Sequence, residues 1–359
     1  MRTHHVVLGS LALLFACASS PPEATTGTTG TMGTMGEAST AAETGTPTTG
    51  SAESSTGAPP EQGLRLHQLQ AMGTHNSYHI SSGESVKDLD YTHKPLPEQL
   101  DAGARQFELD INFSKMAGEA IGVYHLELLD QKSNCPLLKD CLQGLRGWSE
   151  GHPGHHILYV MFEVKTAFNA VLWDEFIADL EAEILAVWPR EDIVAPDDVQ
   201  GDAASIREGL AANGWPTIAA SRGKILFVLH DGGNWRDSYV AAGTHGHLLF
   251  PDAFGDLAAP YAAVHTLNDP TGDAAAIAAA LDAGHLVRTR ADADLVEPLA
   301  GDDTRAMAAL ASGATFISTD YPPPMGEVDY VFEIPEGTPS RCNPRTAPAD
   351  CTPADIEAP

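Results

Sequence analysis

The sequence predicts an α/β fold in which eight parallel strands close into an irregular TIM (β/α)8 barrel, and three observations point there. Eight apolar, β-leaning runs recur after residue 63, most of them separated by helical patterns. They spread over about 280 residues, a single-core length for such a barrel. Charged residues collect where the runs end, which is where barrel active sites lie.

Before the barrel come two segments of different composition. Residues 1–17 carry Arg2, an apolar run over 6–16 and then Cys17. The apolar run is too short to span a bilayer and reads as an export signal. Leu14-Phe15-Ala16-Cys17 resembles a bacterial lipobox, which predicts a lipid on Cys17 and anchorage to the inner or outer membrane of the cell envelope. Residues 18–63 are rich in Thr, Gly, Ser, Ala, Pro and Glu and contain no aromatic residue. Such a stretch cannot offset its chain entropy by burial and is expected to be a disordered tether. At about 46 residues its root-mean-square span is roughly 35–40 Å.

The expected barrel occupies 64–345. Its strands fall at 66–72, 104–111, 121–125, 157–164, 224–230, 261–267, 285–290 and 314–319, with helical patterns at 173–188, 203–213, 271–283 and 302–312. Residues 346–359 form a short C-terminal tail. Four cysteines follow the signal, and sequence proximity favours Cys135–Cys141 and Cys342–Cys351 as disulfides in an oxidising compartment. Zinc is disfavoured, because neither pair has finger spacing. The formal charge of −29 argues against nucleic acid and against electrostatic adsorption to anionic lipid. No protein partner is predicted.

The strand ends carry the chemistry. Gly73-Thr74-His75-Asn76-Ser77-Tyr78-His79 closes the first run and sets an imidazole beside an amide oxygen. Glu108 and Asp110 stand at i, i+2 and so point to one side of a strand, as do Glu163 and Lys165. His125, His230, Arg288, Arg290 and Asp320 end other runs. Asn76, Glu108, Asp110 and Glu163 make a hard-oxygen set suited to calcium. The bland reading has Glu108 and Asp110 merely paired with Arg105, Lys165 or Arg288. His75 and His125 form an acid–base pair if the barrel closes. Lys165, Arg288 and Arg290 can hold an anionic oxygen, although an arginine can instead support a carboxylate. His79 reads as structural, and His152, His155 and His156 as an exposed turn. Trp148, Trp173 and Trp188 read as helix and core packing.

Together these residues resemble the bacterial calcium-dependent phosphatidylinositol-specific phospholipases C, of the PLC-like phosphodiesterase superfamily, over about residues 65–345. The resemblance rests on the 73–79 motif, Gln99-Leu-Asp-Ala-Gly-Ala-Arg105, Glu108-Leu-Asp110, His125 and Glu163-Val-Lys165. It continues in Gly214-Trp-Pro216, Arg222-Gly-Lys224, Arg288-Thr-Arg290, Ile317-Ser-Thr-Asp-Tyr-Pro322 and Arg341-Cys-Asn343. It implies calcium bound by Asn76, Glu108, Asp110 and Glu163, with His75 and His125 catalytic. It implies, less directly, phosphate or headgroup contacts from Lys165, Arg288 and Arg290. The implied reaction splits a phospholipid at a membrane surface into diacylglycerol and a cyclic inositol phosphate. Two alternatives keep part of this reading: a glycerophosphodiester or lysophospholipid phosphodiesterase, and a surface lipoprotein that binds headgroups without turnover.

Overall fold

Strand alternation separates a narrow lumen from an outer wall, and that alternation positions everything functional. The computed structural model describes residues 63–83, 89–113, 120–324 and 328–358. The expected signal, Cys17 and the tether up to residue 62 lie outside the described residues. The strands are β1 (Leu69–Thr74), β2 (Ala104–Phe113), β3 (Ile121–Val123), β4 (Leu158–Val164), β5 (Ile193–Val194) and β6 (Ile225–His230). After them come β7 (Leu249–Pro251), β8 (Val264–Thr266), β9 (Leu286–Arg290), β10 (Phe316–Thr319) and β11 (Arg341–Cys342).

Parallel pairing runs β7–β6–β4–β2–β1–β10–β9–β8. A parallel bridge between Asp252 and Val264 joins the end of β7 to β8 and closes the ring. The staves are therefore β1, β2, β4, β6, β7, β8, β9 and β10. Two sequence expectations need correction. The run at 121–125 is not a stave: β3 pairs antiparallel with the upper end of β2, Ile111 facing Val123. The stave that replaces it is β7, too short for its pattern to register and ending in Pro251.

In β2, Phe107, Leu109 and Ile111 join the core shared with the helices, while Gln106, Glu108 and Asp110 take the opposite face. In β4 and β6 the outer residues are Leu158, Val160, Phe162, Phe227 and Leu229. Their inner neighbours Tyr159, Met161, Leu226 and Val228 meet Phe250, Val264, Leu286 and Phe316 in a second apolar cluster. The lumen is thus apolar low down and ionisable at the strand C-termini.

Helices cover the wall by burying one stripe. Leu138–Gly151 buries Leu138, Cys141, Leu142, Leu145 and Trp148. Trp173–Leu185 buries Phe176, Ile177, Leu180 and Ile184, and Trp188 just beyond is fully buried. Ser205 caps Ile206–Asn213 by accepting from the Glu208 amide at 3.2 Å. Both expected disulfides are present. Among the described residues no helix is long and apolar enough to cross a membrane.

The segment after 345 packs beneath the barrel. Cys342–Cys351 leads into the turn Pro353–Ile356, and Glu357 then reaches Arg105, Oε1 lying 2.6 Å from Nη2. Its Oε2 accepts from Arg105 Nε and from the His156 amide. His155 and His156 are buried here, not exposed as their loop composition suggested; only His152 faces solvent. Burial holds His156 neutral, its pKa pushed down to about 3. Glu357→Ala would strand the buried Arg105 guanidinium. It is expected to cost ~3–5 kcal/mol of stability in urea unfolding, as breaking one side of a buried pair does, with kcat unchanged.

Candidate active site

The loop after β1 is tied to β2 by its own small polar side chains. Thr74 Oγ1 donates to Gln99 Oε1 at 2.7 Å, and Ser77 Oγ accepts from the Glu108 amide at 2.9 Å. The Ser77 amide donates to the Glu108 carbonyl at 2.9 Å. This fixes Asn76 against Glu108, with Asn76 in the left-handed region at φ 44°. Gly73 is required by close approach, since a Cβ there would lie 2.6 Å from Gln106 Cβ.

Three carboxylates and a lysine share the mouth. Glu108 accepts from Arg288 Nη2, and both are buried. Burial alone would raise Glu108, but Arg288 first, then His75 and His230, hold it down at about 2. Asp110 is fully buried, and burial together with Glu163 pushes its carboxyl well above the ordinary range. Lys165 Nζ lies 2.6 Å from Glu163 Oε1 and 3.1 Å from Asp110 Oδ2. The Asp110 contact has ion-pair distance without hydrogen-bond geometry. Asn76 Oδ1 and both Asp110 oxygens are buried and form no hydrogen bond of ordinary geometry among the described residues, although the Lys165 ammonium and the Tyr78 hydroxyl lie near Asp110.

The histidines stand on either side of this set. His75 Nδ1 lies 2.8 Å from Asp320 Oδ1, and Arg290 Nη2 donates to Asp320 Oδ2 at 2.8 Å. Although Asp320 is buried, His75 and Arg290 keep its carboxyl well below the usual range. The arrangement leaves His75 Nε2 open while its other nitrogen is fixed. His125 reaches the mouth because β3 returns along β2: the preceding Tyr124 amide donates to the Asp110 carbonyl at 3.2 Å. Its Nδ1 lies 3.3 Å from Asp130 Oδ2, which also takes His79 Nε2 at 2.9 Å. Burial, then Lys165, lowers the His125 pKa, and Asp130 works against both.

The sequence model described as phosphoinositide phospholipase C, Ca2+-dependent, matches residues 64–119 and 112–344. The chain belongs to this family. It is therefore a Ca2+-dependent phosphoinositide phospholipase C, a phosphoric diester hydrolase acting on phospholipid. No curated protein sequence matches it. Among solved structures, a Ca2+-dependent phosphatidylinositol-specific phospholipase C from Streptomyces antibioticus is 22% identical, with TM-score 0.54, covering 72% of this chain and 95% of that one. A calcium-dependent phosphoinositol-specific phospholipase C from Pseudomonas sp. is 18% identical, with TM-score 0.54, covering 72% and 91%. At these identities the likeness is one of fold.

The mouth of this phospholipase C fits the family's Ca2+. Its buried carboxylate and amide oxygens are hard ligands. Glu108 and Asp110 lie within β2, Glu163 near the end of β4 and Arg288 and Arg290 in β9, while His75, Asn76, Lys165 and His125 follow shortly after strands β1, β4 and β3. Each basic residue there touches a carboxylate: Lys165 meets Glu163 and Asp110, Arg288 meets Glu108, and Arg290 meets Asp320. Sequence reading missed the supporting acids Asp130 and Asp252. Asp130 stands close to His125 in the chain and Asp252 well beyond His230, and in neither case does a local sequence pattern signal the pairing. It noted His230 as a strand end but gave it no role; a ring nitrogen of His230 and one oxygen each of Glu108 and Glu163 lie within 4.8 Å of one another.

Proposed function

We propose that the phospholipase C reaction runs on phosphatidylinositol at this mouth, with Asn76, Glu108, Asp110 and Glu163 holding Ca2+ and His75 and His125 moving the protons. The observation that carries the ligand set is the group of buried oxygens on Asn76 and Asp110 that form no regular hydrogen bond among the described residues. Bound Ca2+ supplies a Lewis acid that lowers the pKa of the inositol 2-hydroxyl and offsets charge on the phosphoryl oxygens. His75, its Nδ1 fixed by Asp320, contacts the phosphoryl oxygens through Nε2 and takes the 2-hydroxyl proton. As the 2-oxygen bonds to phosphorus, the bond to the diacylglycerol oxygen breaks. His125, whose charged form Asp130 favours, gives its proton to that oxygen. Lys165, Arg288 and Arg290, each set against a carboxylate of the mouth, orient the phosphate by their positive charge. The products are diacylglycerol and a cyclic inositol phosphate.

Product analysis over a panel of phospholipids, with and without calcium, tests this. Cyclic inositol phosphate from phosphatidylinositol is expected. Phosphatidic acid alone, or turnover only of glycerophosphodiesters or lysophospholipids, would replace the substrate assignment.

Approach to the bilayer is supported by apolar side chains around the mouth. Leu128 is 88% exposed and Leu129 64%, just past His125; Leu172 and Phe254 are exposed on other loops that follow strand C-termini, and Val296 and Leu299 on the short helix Val296–Ala300 after β9. With a formal charge of −29, contact through these groups suits this chain better than attraction to anionic lipid. Leu128→Asp with Leu129→Asp should cut vesicle binding by tenfold or more, on ~1.5 kcal/mol or above for each inserted leucine, and spare turnover of a soluble substrate. A lipid on Cys17 would keep the barrel within tether reach of its membrane. Cys17→Ser should then move the protein to the soluble fraction, whereas unchanged membrane partition would exclude the anchor.

A further inference from the structure

One row of the lumen runs Asp110, Glu163, His230 across β2, β4 and β6, set by the register that pairs Asp110 with Glu163 and Glu163 with His230. His230 is the only nitrogen ligand type in that row. Its ring is held as metal-binding imidazoles are held: Nδ1 lies 2.8 Å from Asp252 Oδ2, which leaves Nε2 free. Asp252 is itself buried and fixed. Its Oδ1 accepts from the Phe254 amide at 2.9 Å and the Thr266 amide at 3.0 Å, and its Oδ2 accepts from Thr266 Oγ1. Phe254 lies against the imidazole, with centroids 5.1 Å apart. A ring nitrogen of His230 shares a 4.8 Å cluster with oxygens of Glu108 and Glu163. The buried oxygens of Asp110, which form no regular hydrogen bond among the described residues, belong to the same row.

We propose that His230 is a nitrogen donor to the cation site, so that the site takes Mn2+ and the later first-row divalent ions with an imidazole in their coordination sphere. This rests on the reading that Asn76, Glu108, Asp110 and Glu163 hold the cation. Ca2+ gains little from nitrogen, whereas affinity of a mixed nitrogen and oxygen site for first-row divalent ions begins with Mn2+ and rises along the series. His230 therefore sets how far the enzyme discriminates between the two ions. Asp252 is a positioning residue that fixes the ring and raises its basicity as a ligand.

The test uses the full-length chain stripped of metal, with Mn2+ alone as the probe. Pulsed EPR of the Mn2+ form should show ¹⁴N modulation from a bound imidazole, absent in His230→Gln. By titration calorimetry His230→Gln should weaken Mn2+ roughly 10–100-fold while Ca2+ affinity moves only a few-fold. Asp252→Asn, which leaves the imidazole in place, should weaken Mn2+ in the same direction, and Asp110→Asn should abolish binding of both ions. Mn2+ binding that depends on Asp110 but shows no nitrogen modulation would overturn the proposal, leaving His230 a counter-charge for the glutamates and the oxygen set intact. Mn2+ binding unaffected by Asp110→Asn would overturn the oxygen set and this proposal together.

Discussion

His75→Ala and His125→Ala should each lower kcat by ~10²–10⁴-fold, the range of one lost general acid or base, with Ca2+ affinity and thermal stability close to wild type. Neither ring is proposed as a metal ligand, and both are partly exposed at the mouth, so truncation opens no core cavity. The double variant should be far less than multiplicatively worse, because groups acting on one proton-transfer sequence are not additive. Asp130→Asn should give a smaller loss, and it should shift the pH profile, because Asp130 favours the charged His125 ring while burial and Lys165 oppose it. Removing that acid moves the fall of the protonated form to lower pH. Alanine variants that retained near-normal rates would remove the histidines from the mechanism and leave the barrel untouched.

Asp110→Asn should abolish Ca2+-dependent turnover and also remove the rise in melting temperature that Ca2+ gives the wild type. Saturation at about a hundred times Kd is worth ~2.7 kcal/mol to a protein that binds only when folded. In Ca2+-free buffer near neutral pH the variant should be at least as stable as the wild type. Burial and Glu163 raise the Asp110 carboxyl well above its ordinary value, so the fold favours the protonated form. A raised carboxyl lends stability at low pH that is lost as pH rises through its folded value. The asparagine carries no such charge, and Lys165 keeps Glu163 as its partner. Unfolding curves at pH 7 with Ca2+ and with chelator decide the matter. A variant that Ca2+ still stabilised like the wild type would take Asp110 out of the ligand set.

Local rules carried much of the site. The i, i+2 spacing of Glu108 with Asp110, and of Glu163 with Lys165, told which side chains share a face before any pairing was known, because strand side chains alternate. The match of strand ends with ionisable residues placed these groups at one mouth, since charge low in a packed lumen has no compensation. Where the reading slipped, pairing direction was the cause. The run 121–125 is β-leaning in either role, and only the length of β2 turns it back antiparallel. That turn still brings His125 to the mouth, though from a hairpin instead of a stave.

By itself the sequence determined the alternation of strands and helices, the polarity of each strand face, the Gly73–His79 loop, the disulfide pairing and the family. These depend on spacing, composition and near neighbours, all of which a linear chain displays. Tertiary structure alone decided that Leu249–Pro251 is a stave, closed through one bridge at Asp252. It decided that Glu357 locks Arg105 under the floor, that Asp320 and Asp252 hold His75 and His230, and that Asp130 stands at ion-pair distance from His125. Each of those pairings except His125 with Asp130 spans a long stretch of chain, and each works because burial makes a lone charge costly and a partnered one tolerable. Burial is a property of the closed barrel, and no residue carries it until the ring has formed.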